Sequence, residues 1–150
     1  MRILIVRNNY NPKALESALL LEVYLASQGV EFTAFDTDDL RASSEFFQRR
    51  VENIDDFDLA VVLGGDGTIL HEANLSLQYA KPILGINLGR CGFLATCEIS
   101  EMEAKLSAVA RGEFTLDNRM LRCTVGNDVR DWKDALACFF EHWDGDNGMK

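Results

Sequence analysis

The feature that most limits the possible folds is a buried strand that runs directly into a glycine-rich turn. Residues 58–63 read Asp-Leu-Ala-Val-Val-Leu, and the apolar run after the aspartate is typical of a strand covered on both faces. The sequence GGDGT, residues 64–68, follows without a spacer, and residues 69–79 read as a helix. Strand, short turn and helix in this order indicate a unit of a parallel sheet with crossover helices.

The same alternation of strand and helix patterns runs through the first 112 residues. Asn11 and the proline after it form a good helix start, and Gly29 stands where a helix should end. Residues 100–103 read Ser-Glu-Met-Glu, a capping-box pattern that predicts the start of another helix. We therefore expect an α/β domain over residues 1–112, a parallel sheet flanked by helices. Further strands are predicted at residues 3–6, 31–35 and 82–87, and a further helix at residues 43–51.

The pattern changes in the last quarter of the chain. Residues 114–116 and 120–125 predict strands, and no helix pattern lies between them. From residue 132 onward the apolar residues show no regular periodicity, and the chain ends in a polar stretch. This part of the sequence therefore does not continue the strand–helix alternation.

Composition excludes several classes of function. The chain has 24 acidic and 15 basic residues, a net charge of -9, so charge alone does not draw it to nucleic acid or anionic lipid. Its longest apolar runs are far shorter than the ~20 residues that a membrane-spanning helix needs. The first six residues resemble a buried strand more than a signal peptide. We expect no nucleic-acid partner, no membrane partner and a cytoplasmic location.

The cysteines and histidines do not predict a metal site. None of the four cysteines forms a CxxC pair, and His71 and His142 are far apart in the sequence. Free thiols in a reducing compartment are the expected state, since the apolar content is enough for a core without disulfides. Cys91 and Cys97 lack the nearby histidine that a thiol nucleophile needs, so inert thiols are expected.

The GGDGT turn has the properties of a phosphate-binding loop. Adjacent glycines after a buried strand let a ligand approach the backbone, and the helix that follows directs free N–H groups at it. A Walker loop is excluded because no lysine follows these glycines, and a Rossmann fingerprint is excluded because position 70 is Leu70. The turn is therefore a phosphate loop of another kind.

Two side chains near this turn are candidates for chemistry. Asp66 would repel a phosphate unless it holds a metal or accepts a proton from a hydroxyl that attacks phosphorus, as in a kinase acting on an alcohol. Its alternative role is to cap the helix through its side chain, and the two roles are compatible. His71, one turn into the helix, either reaches a ligand phosphate or ribose or faces solvent.

A second glycine-rich motif, NLGRCGFL at residues 87–94, follows the next predicted strand. Both motifs leave the carboxyl ends of strands, where ligands bind in parallel sheets, so we expect them to share one cleft. Arg90 is a candidate to meet a phosphate. Phe93 either stacks on a base or packs in the core, and core packing is the simpler expectation.

The two motifs together resemble those of bacterial NAD kinases, and the resemblance covers about residues 1–125. GGDGT alone is shared with diacylglycerol and sphingosine kinases and, more loosely, with 6-phosphofructokinases, whereas the second motif with GFL is specific. The resemblance implies transfer of a phosphoryl group from ATP or polyphosphate to the 2′-hydroxyl of the adenosine ribose of NAD. It also implies a divalent metal, usually Mg²⁺, on the donor phosphates, and a homo-oligomer.

The roles of individual residues carry over from this resemblance position by position. Asp66 would be the general base on the 2′-hydroxyl, and His71 would contact the nucleotide. Asn87, Phe93 and Leu94 would line the pocket on the adenine side. The two positions where the loop would approach the nucleotide are Gly65 and Gly67.

The chain departs from the family in its last part. The family has a second, all-β domain with an Asn-Asp or Asn-Glu pair that holds the NAD ribose. Here the pair at residues 127–128 falls in a predicted turn, and residues 134–137 lack the pair. We expect residues 113–137 to be the first strands of an incomplete β domain, and residues 138–150 to be an aberrant tail after a broken reading frame. Two alternatives follow: a nucleotide-binding fragment without activity, and a lipid or sugar kinase of the GGDGT superfamily.

Overall fold

The computed structural model describes residues 1–37, 57–89, 92–118, 143–144 and 148–149. The chain forms two compact units, Met1–Phe114 and Thr115–Lys150. In the first unit the elements are β1 (Arg2–Arg7), α1 (Pro12–Ser27), β2 (Glu31–Asp36), β3 (Leu59–Gly64), α2 (Asp66–Tyr79), β4 (Ile83–Asn87), β5 (Cys97–Glu98), the 3-10 helix η1 (Ile99–Glu101) and α3 (Met102–Ala110).

The five strands of the first unit form one parallel sheet in the order β2-β1-β3-β4-β5. The strands at the centre are those with the longest apolar runs, because a central strand is covered on both faces. In β3 all six residues are buried. The predicted α/β fold with a parallel sheet and flanking helices is therefore confirmed.

Two layers of apolar side chains cover the two faces of this sheet. Successive residues of a strand point to opposite faces, so Ile3 and Ile5 enter one cluster while Leu4 and Val6 enter the other. The first cluster contains the buried faces of α1 and α3, and the second contains Ile69 of α2. The sheet thus lies between helices on both sides, and its strand ends remain available for a site.

The ends of α1 follow the sequence signals. The Asn11 side chain accepts hydrogen bonds from the backbone N–H groups of Lys13 (3.0 Å) and Ala14 (3.4 Å). At the other end Gly29 has φ +66, which closes the helix and lets Val30 N donate to Leu25 O at 3.0 Å. The predicted start and stop of α1 are both confirmed.

The predicted capping box lies two residues earlier than expected. It is formed by Glu98 and Glu101, and the helical segment opens with η1 at Ile99. The reason is β5, which ends at Glu98 and brings that carboxylate within reach of the first free amides.

The second unit is described only in part. Its strands β6 (Trp143–Asp144) and β7 (Gly148–Met149) pair in antiparallel orientation. Residues 113–118 have no regular secondary structure, where a strand was expected at residues 114–116. The predicted helix at residues 43–51 and the predicted strand at residues 120–125 lie outside the described residues, and the incomplete β domain stays a prediction.

Within the described ranges, the structure contains no helix that is both long and apolar enough to cross a membrane.

Candidate active site

The strand order defines where a ligand would enter. From β1 the chain crosses to β2 on one side, and from β3 it crosses to β4 on the other, so the direction of winding changes between β1 and β3. In sheets of this order, the crevice at the carboxyl ends of those two strands is the usual binding position. The GGDGT turn leaves β3 at this crevice, as its motif predicted.

The three glycines of GGDGT have different surroundings. A Cβ atom on Gly64 would lie 2.5–2.9 Å from the side chain of Thr68, so Gly64 is required by packing. Among the described residues, apart from the chain neighbours and the backbone of the same helix, no atom lies within 4 Å of the corresponding positions on Gly65 and Gly67. These two glycines leave open space beside the backbone, which a ligand can approach.

The helix after the turn begins three residues earlier than predicted. Gly65 is the N-cap residue, with an extended backbone at φ -103 and ψ -171, and Asp66 is the first helical residue. Asp66 is therefore not the N-cap residue. It is the acid of the first turn, where a negative charge interacts favourably with the helix dipole.

The carboxylate of Asp66 is bound by the backbone of the second glycine motif. Phe93 N donates to Oδ2 at 2.8 Å, and Leu94 N and Ala95 N donate to Oδ1 at 2.9 and 3.2 Å. A Cβ atom on Gly92 would lie 2.3 Å from Oδ1, so only glycine allows this approach. The two motifs therefore meet at one carboxylate, as expected from their positions at neighbouring strand ends.

The start of the second motif is fixed by hydrogen bonds to both β3 and α1. Leu88 N donates to Gly64 O at 3.2 Å, and Lys13 Nζ donates to Leu88 O at 3.2 Å. Asn87 is only 3% exposed, and its side chain bonds Gly89 N and Glu98 Oε1, each at 3.1 Å. Asn87 is thus buried at the base of the loop that joins β4 to β5.

The two apolar residues of the GFL sequence have opposite environments. Phe93 is 84% exposed, so the expectation that it packs in the core is wrong. Leu94 is half-buried and packs against the cluster that contains Ile69. The difference arises because Leu94 points back at the sheet while Phe93 projects from the edge, where an aromatic ring can stack on a base.

His71 is paired with a buried acid that the sequence reasoning missed. His71 Nδ1 lies 3.1 Å from Glu72 Oε1, and the His71 side chain is 37% exposed whereas that of Glu72 is 4% exposed. His71 is therefore partly exposed to solvent and paired with Glu72, which leaves both expectations for it open. The sequence does contain one indication that Glu72 is buried. It follows Ile69 by three residues, and this spacing places both side chains near the same, core-facing side of α2.

The loop after β1 is fixed at the same edge of the sheet. Asn9 N donates to Asp36 Oδ2 at 3.0 Å, and Arg7 Nε donates to Asn9 Oδ1 at 2.9 Å. Arg7 also pairs with Glu22 of α1. Asp36 is buried, and its position at the end of β2 was not identified from the sequence.

The described residues of this edge include no cluster of metal-ligating side chains. In residues 1–37, 57–89 and 92–118 and the two short strands, no group of three or more His, Cys, Asp or Glu side chains is placed to hold a metal ion. Arg90 and Cys91 lie outside the described residues.

Fold and site together define a parallel α/β domain that carries the GGDGT turn at the carboxyl end of β3. The family model described as the ATP-NAD kinase N-terminal domain matches residues 3–114. The chain belongs to the NAD kinase family, and this match does not favour a lipid or sugar kinase.

Curated relatives carry the same family name. The chain is 49% identical over 76 residues to the NAD kinase of Clostridium kluyveri, an alignment that covers 49% of this chain and 27% of the relative. It is 37% identical over 137 residues to that of Laribacter hongkongensis, covering 89% and 47%. It is 36% identical over 127 residues to that of Nitrosomonas eutropha, covering 81% and 42%. The chain spans less than half the length of these relatives.

Proposed function

We propose that this chain carries the phosphoryl-transfer site of an NAD kinase, which phosphorylates the 2′-hydroxyl of the adenosine ribose of NAD with ATP or polyphosphate. Membership of the family supports the proposal. The observation that carries it is the Asp66 carboxylate, which lies at the start of α2 and is bound by the second glycine motif. An acid in this position is unfavourable for binding phosphate alone, and a chemical role beside its structural one explains why it lies there.

That role is general base catalysis. Three N–H donors match an ionised carboxylate, which has acceptors only. When the ribose oxygen attacks the terminal phosphorus, the new oxygen–phosphorus bond forms as the bond to the donor's leaving oxygen breaks. The hydroxyl proton passes to Asp66, a step that contributes roughly 10²–10⁴-fold to such reactions.

The other residues bind and orient the nucleotide. Gly65 and Gly67 leave the backbone open, and the first N–H groups of α2 attract phosphate oxygens. Phe93 presents an exposed ring to the adenine, with Leu94 anchoring its segment to the core. His71, oriented by Glu72, contacts the nucleotide through its other ring nitrogen.

A divalent metal ion fits this site only as an ion that is bound to the phosphates of the donor. Mg²⁺ in kinases is held mainly by phosphate oxygens and waters with one or two carboxylates, so it needs no three-residue cluster in the protein. It would supply neutralisation of the phosphate charge when bound. The resemblance also supports a homo-oligomer and a cytoplasmic location.

A second candidate function is nucleotide binding without turnover. It is favoured by the open space beside the backbone at Gly65 and Gly67, which lets a nucleotide approach whether or not a phosphoryl group is then transferred. In this case the chain binds NAD through the crevice but does not position the ribose for attack.

One experiment separates the two functions. The purified chain is incubated with NAD, ATP and Mg²⁺, NADP formation is measured, and NAD binding is measured by calorimetry. Turnover that falls about 10²-fold or more in Asp66→Asn supports the kinase. Binding without NADP supports the second candidate, and wild-type turnover in Asp66→Asn would contradict the base assignment.

A further inference from the structure

Asn87 closes the loop that carries the amides bound to Asp66. Its Oδ1 accepts from Gly89 N, at the start of the loop, and its Nδ2 donates to Glu98 Oε1, beyond the end of the loop, each at 3.1 Å. One side chain therefore connects both ends of the segment between β4 and β5. Between these ends, Gly92 to Ala95 lie against the carboxylate of Asp66.

We propose that Asn87 is a positioning residue for Asp66, which acts through this loop and does not touch the nucleotide. The inference rests on the proposed function, in which Asp66 is the base. It differs from the role implied by the family resemblance, in which Asn87 lines the adenine side of the pocket.

Burial and bonding both support this assignment. Asn87 is 3% exposed, so little of it is accessible to a ligand. Its oxygen and its nitrogen each have a protein partner already. A ligand contact through either atom would have to replace a buried hydrogen bond, which is unfavourable.

The chemistry of the amide also fits a link between these two partners. Gly89 N is a donor and the Glu98 carboxylate is an acceptor, so the residue between them must accept on one atom and donate on another. Asparagine does both. Aspartate would keep the acceptor but would place a second carboxylate against Glu98, and leucine would do neither.

The loop in turn fixes the direction of the carboxylate. Oδ2 is bound by one amide and Oδ1 by two, so rotation of the Asp66 side chain would break bonds on both oxygens. A base must lie within about 3 Å of the proton it takes, and small misplacements reduce rates steeply. Release of the loop by loss of Asn87 should therefore lower turnover more than affinity.

The first test measures amide hydrogen exchange by NMR in the full chain. The amides of Phe93, Leu94 and Ala95 are expected to exchange slowly, although Phe93 is 84% exposed, because each is bonded to Asp66. In Asn87→Ala their exchange should accelerate by about tenfold or more, while the amides of β1 and β3 keep their protection. Unchanged exchange at residues 93–95 would overturn the proposal.

Variants of the partner give a matched comparison. Glu98→Gln keeps an oxygen that accepts from Asn87, so the slow exchange at residues 93–95 should persist. Glu98→Ala removes that acceptor and should accelerate exchange in the same direction as Asn87→Ala. This second variant also tests the link if Asn87→Ala does not fold. Equal exchange in Glu98→Ala and Glu98→Gln would count against the link.

The second test compares NAD affinity with turnover. For Asn87→Ala we expect kcat to fall roughly 10–100-fold, whereas the Kd for NAD should rise by a smaller factor, because Phe93, which contacts the adenine, lies on the same loop. Weakened NAD binding with unchanged exchange at residues 93–95 would assign Asn87 to the pocket and overturn the positioning role. If the wild-type chain neither binds NAD nor forms NADP, the proposed function fails, and the exchange experiment still decides whether Asn87 holds the loop on Asp66.

Discussion

Gly92 lies against the carboxylate of Asp66 so closely that a Cβ atom on Gly92 would be 2.3 Å from Oδ1 and 2.7 Å from Cγ. In Gly92→Ala either the loop moves away or the Asp66 side chain rotates. In both cases the hydrogen bonds from the three backbone N–H groups to the Asp66 carboxylate are lost. We expect the free energy of unfolding to fall by about 1–3 kcal/mol. We expect NADP formation to fall by about 10²-fold. Urea denaturation and the NADP assay measure the two effects.

Gly89→Ala is the matched control for this substitution. It adds the same methyl group to the same loop, but no atom of the described residues beyond the chain neighbours lies within 4 Å of the new Cβ. The N–H that donates to Asn87 remains. The free energy of unfolding should change by no more than about 0.5 kcal/mol. Equal losses in the two variants would mean that the contact with Asp66 is not the cause.

Gly64 and Gly65 should differ in what they contribute. In Gly64→Ala the new Cβ meets Oγ1, Cβ and Cγ2 of Thr68 at 2.5, 2.6 and 2.9 Å, so the free energy of unfolding should fall by about 1–3 kcal/mol. In Gly65→Ala the new methyl group enters open space beside the backbone. There the expected effect is on NAD binding, a Kd raised by roughly tenfold with little change in stability. A stability loss in Gly65→Ala by denaturation, together with weakened NAD binding in Gly64→Ala by calorimetry, would contradict these assignments.

Four of the five strands of the sheet and the glycine turns could be predicted because their signals are local, whereas β5 has only two residues and was not predicted. The apolar run of β3 and the turn after it are contiguous in the sequence, and Asn11 and Gly29 mark the ends of one helix. Local signals also place both motifs at strand ends, which is enough to expect a shared crevice.

The contacts inside the crevice could not be predicted in this way. Asp66 and Phe93 are separated by 27 residues, and the bond uses the backbone N–H of Phe93, which every residue except proline has. Nothing in the residue type marks that amide as a partner. The environment of Glu72 likewise depends on how α2 packs, which the spacing of one acid indicates only weakly.

The thiol of Cys97 should be unreactive in the folded chain. Cys97 is fully buried in the first core cluster, and this burial raises the pKa of the thiol above its ordinary value. The thiolate is the reactive form, so alkylation by iodoacetamide at pH 8 should occur only after unfolding. Peptide mass spectrometry follows Cys97 separately from the other cysteines. Rapid labelling of Cys97 under native conditions would contradict this burial.

The same pKa shift predicts a loss of stability in alkali. Because the folded chain holds this proton more tightly than the unfolded chain, raising the pH above the ordinary thiol value of about 8.5 favours unfolding. The stabilisation from the buried, protonated thiol of Cys97 is complete below that pH and decreases above it. The difference in unfolding free energy between wild type and Cys97→Ala should therefore be constant from neutral pH to about 8 and shrink toward pH 10. If the difference in unfolding free energy between wild type and Cys97→Ala stayed constant up to pH 10, the predicted effect of the thiol pKa would be contradicted.

Glu101 should give the opposite dependence on pH. Its carboxylate accepts from Glu98 N at 3.1 Å and pairs with Lys105 at 3.2 Å, and these contacts lower the pKa of Glu101 below its ordinary value. The folded chain then binds this proton more weakly than the unfolded chain, so the stabilisation is present at neutral pH and is lost as the pH falls through the carboxyl range. Urea midpoints from pH 7 to 3 should show wild type and Glu101→Gln converging in acid. Glu103→Gln changes the net charge equally, so convergence of the same size in that variant would show that net charge, and not the Glu98 and Lys105 contacts, is responsible.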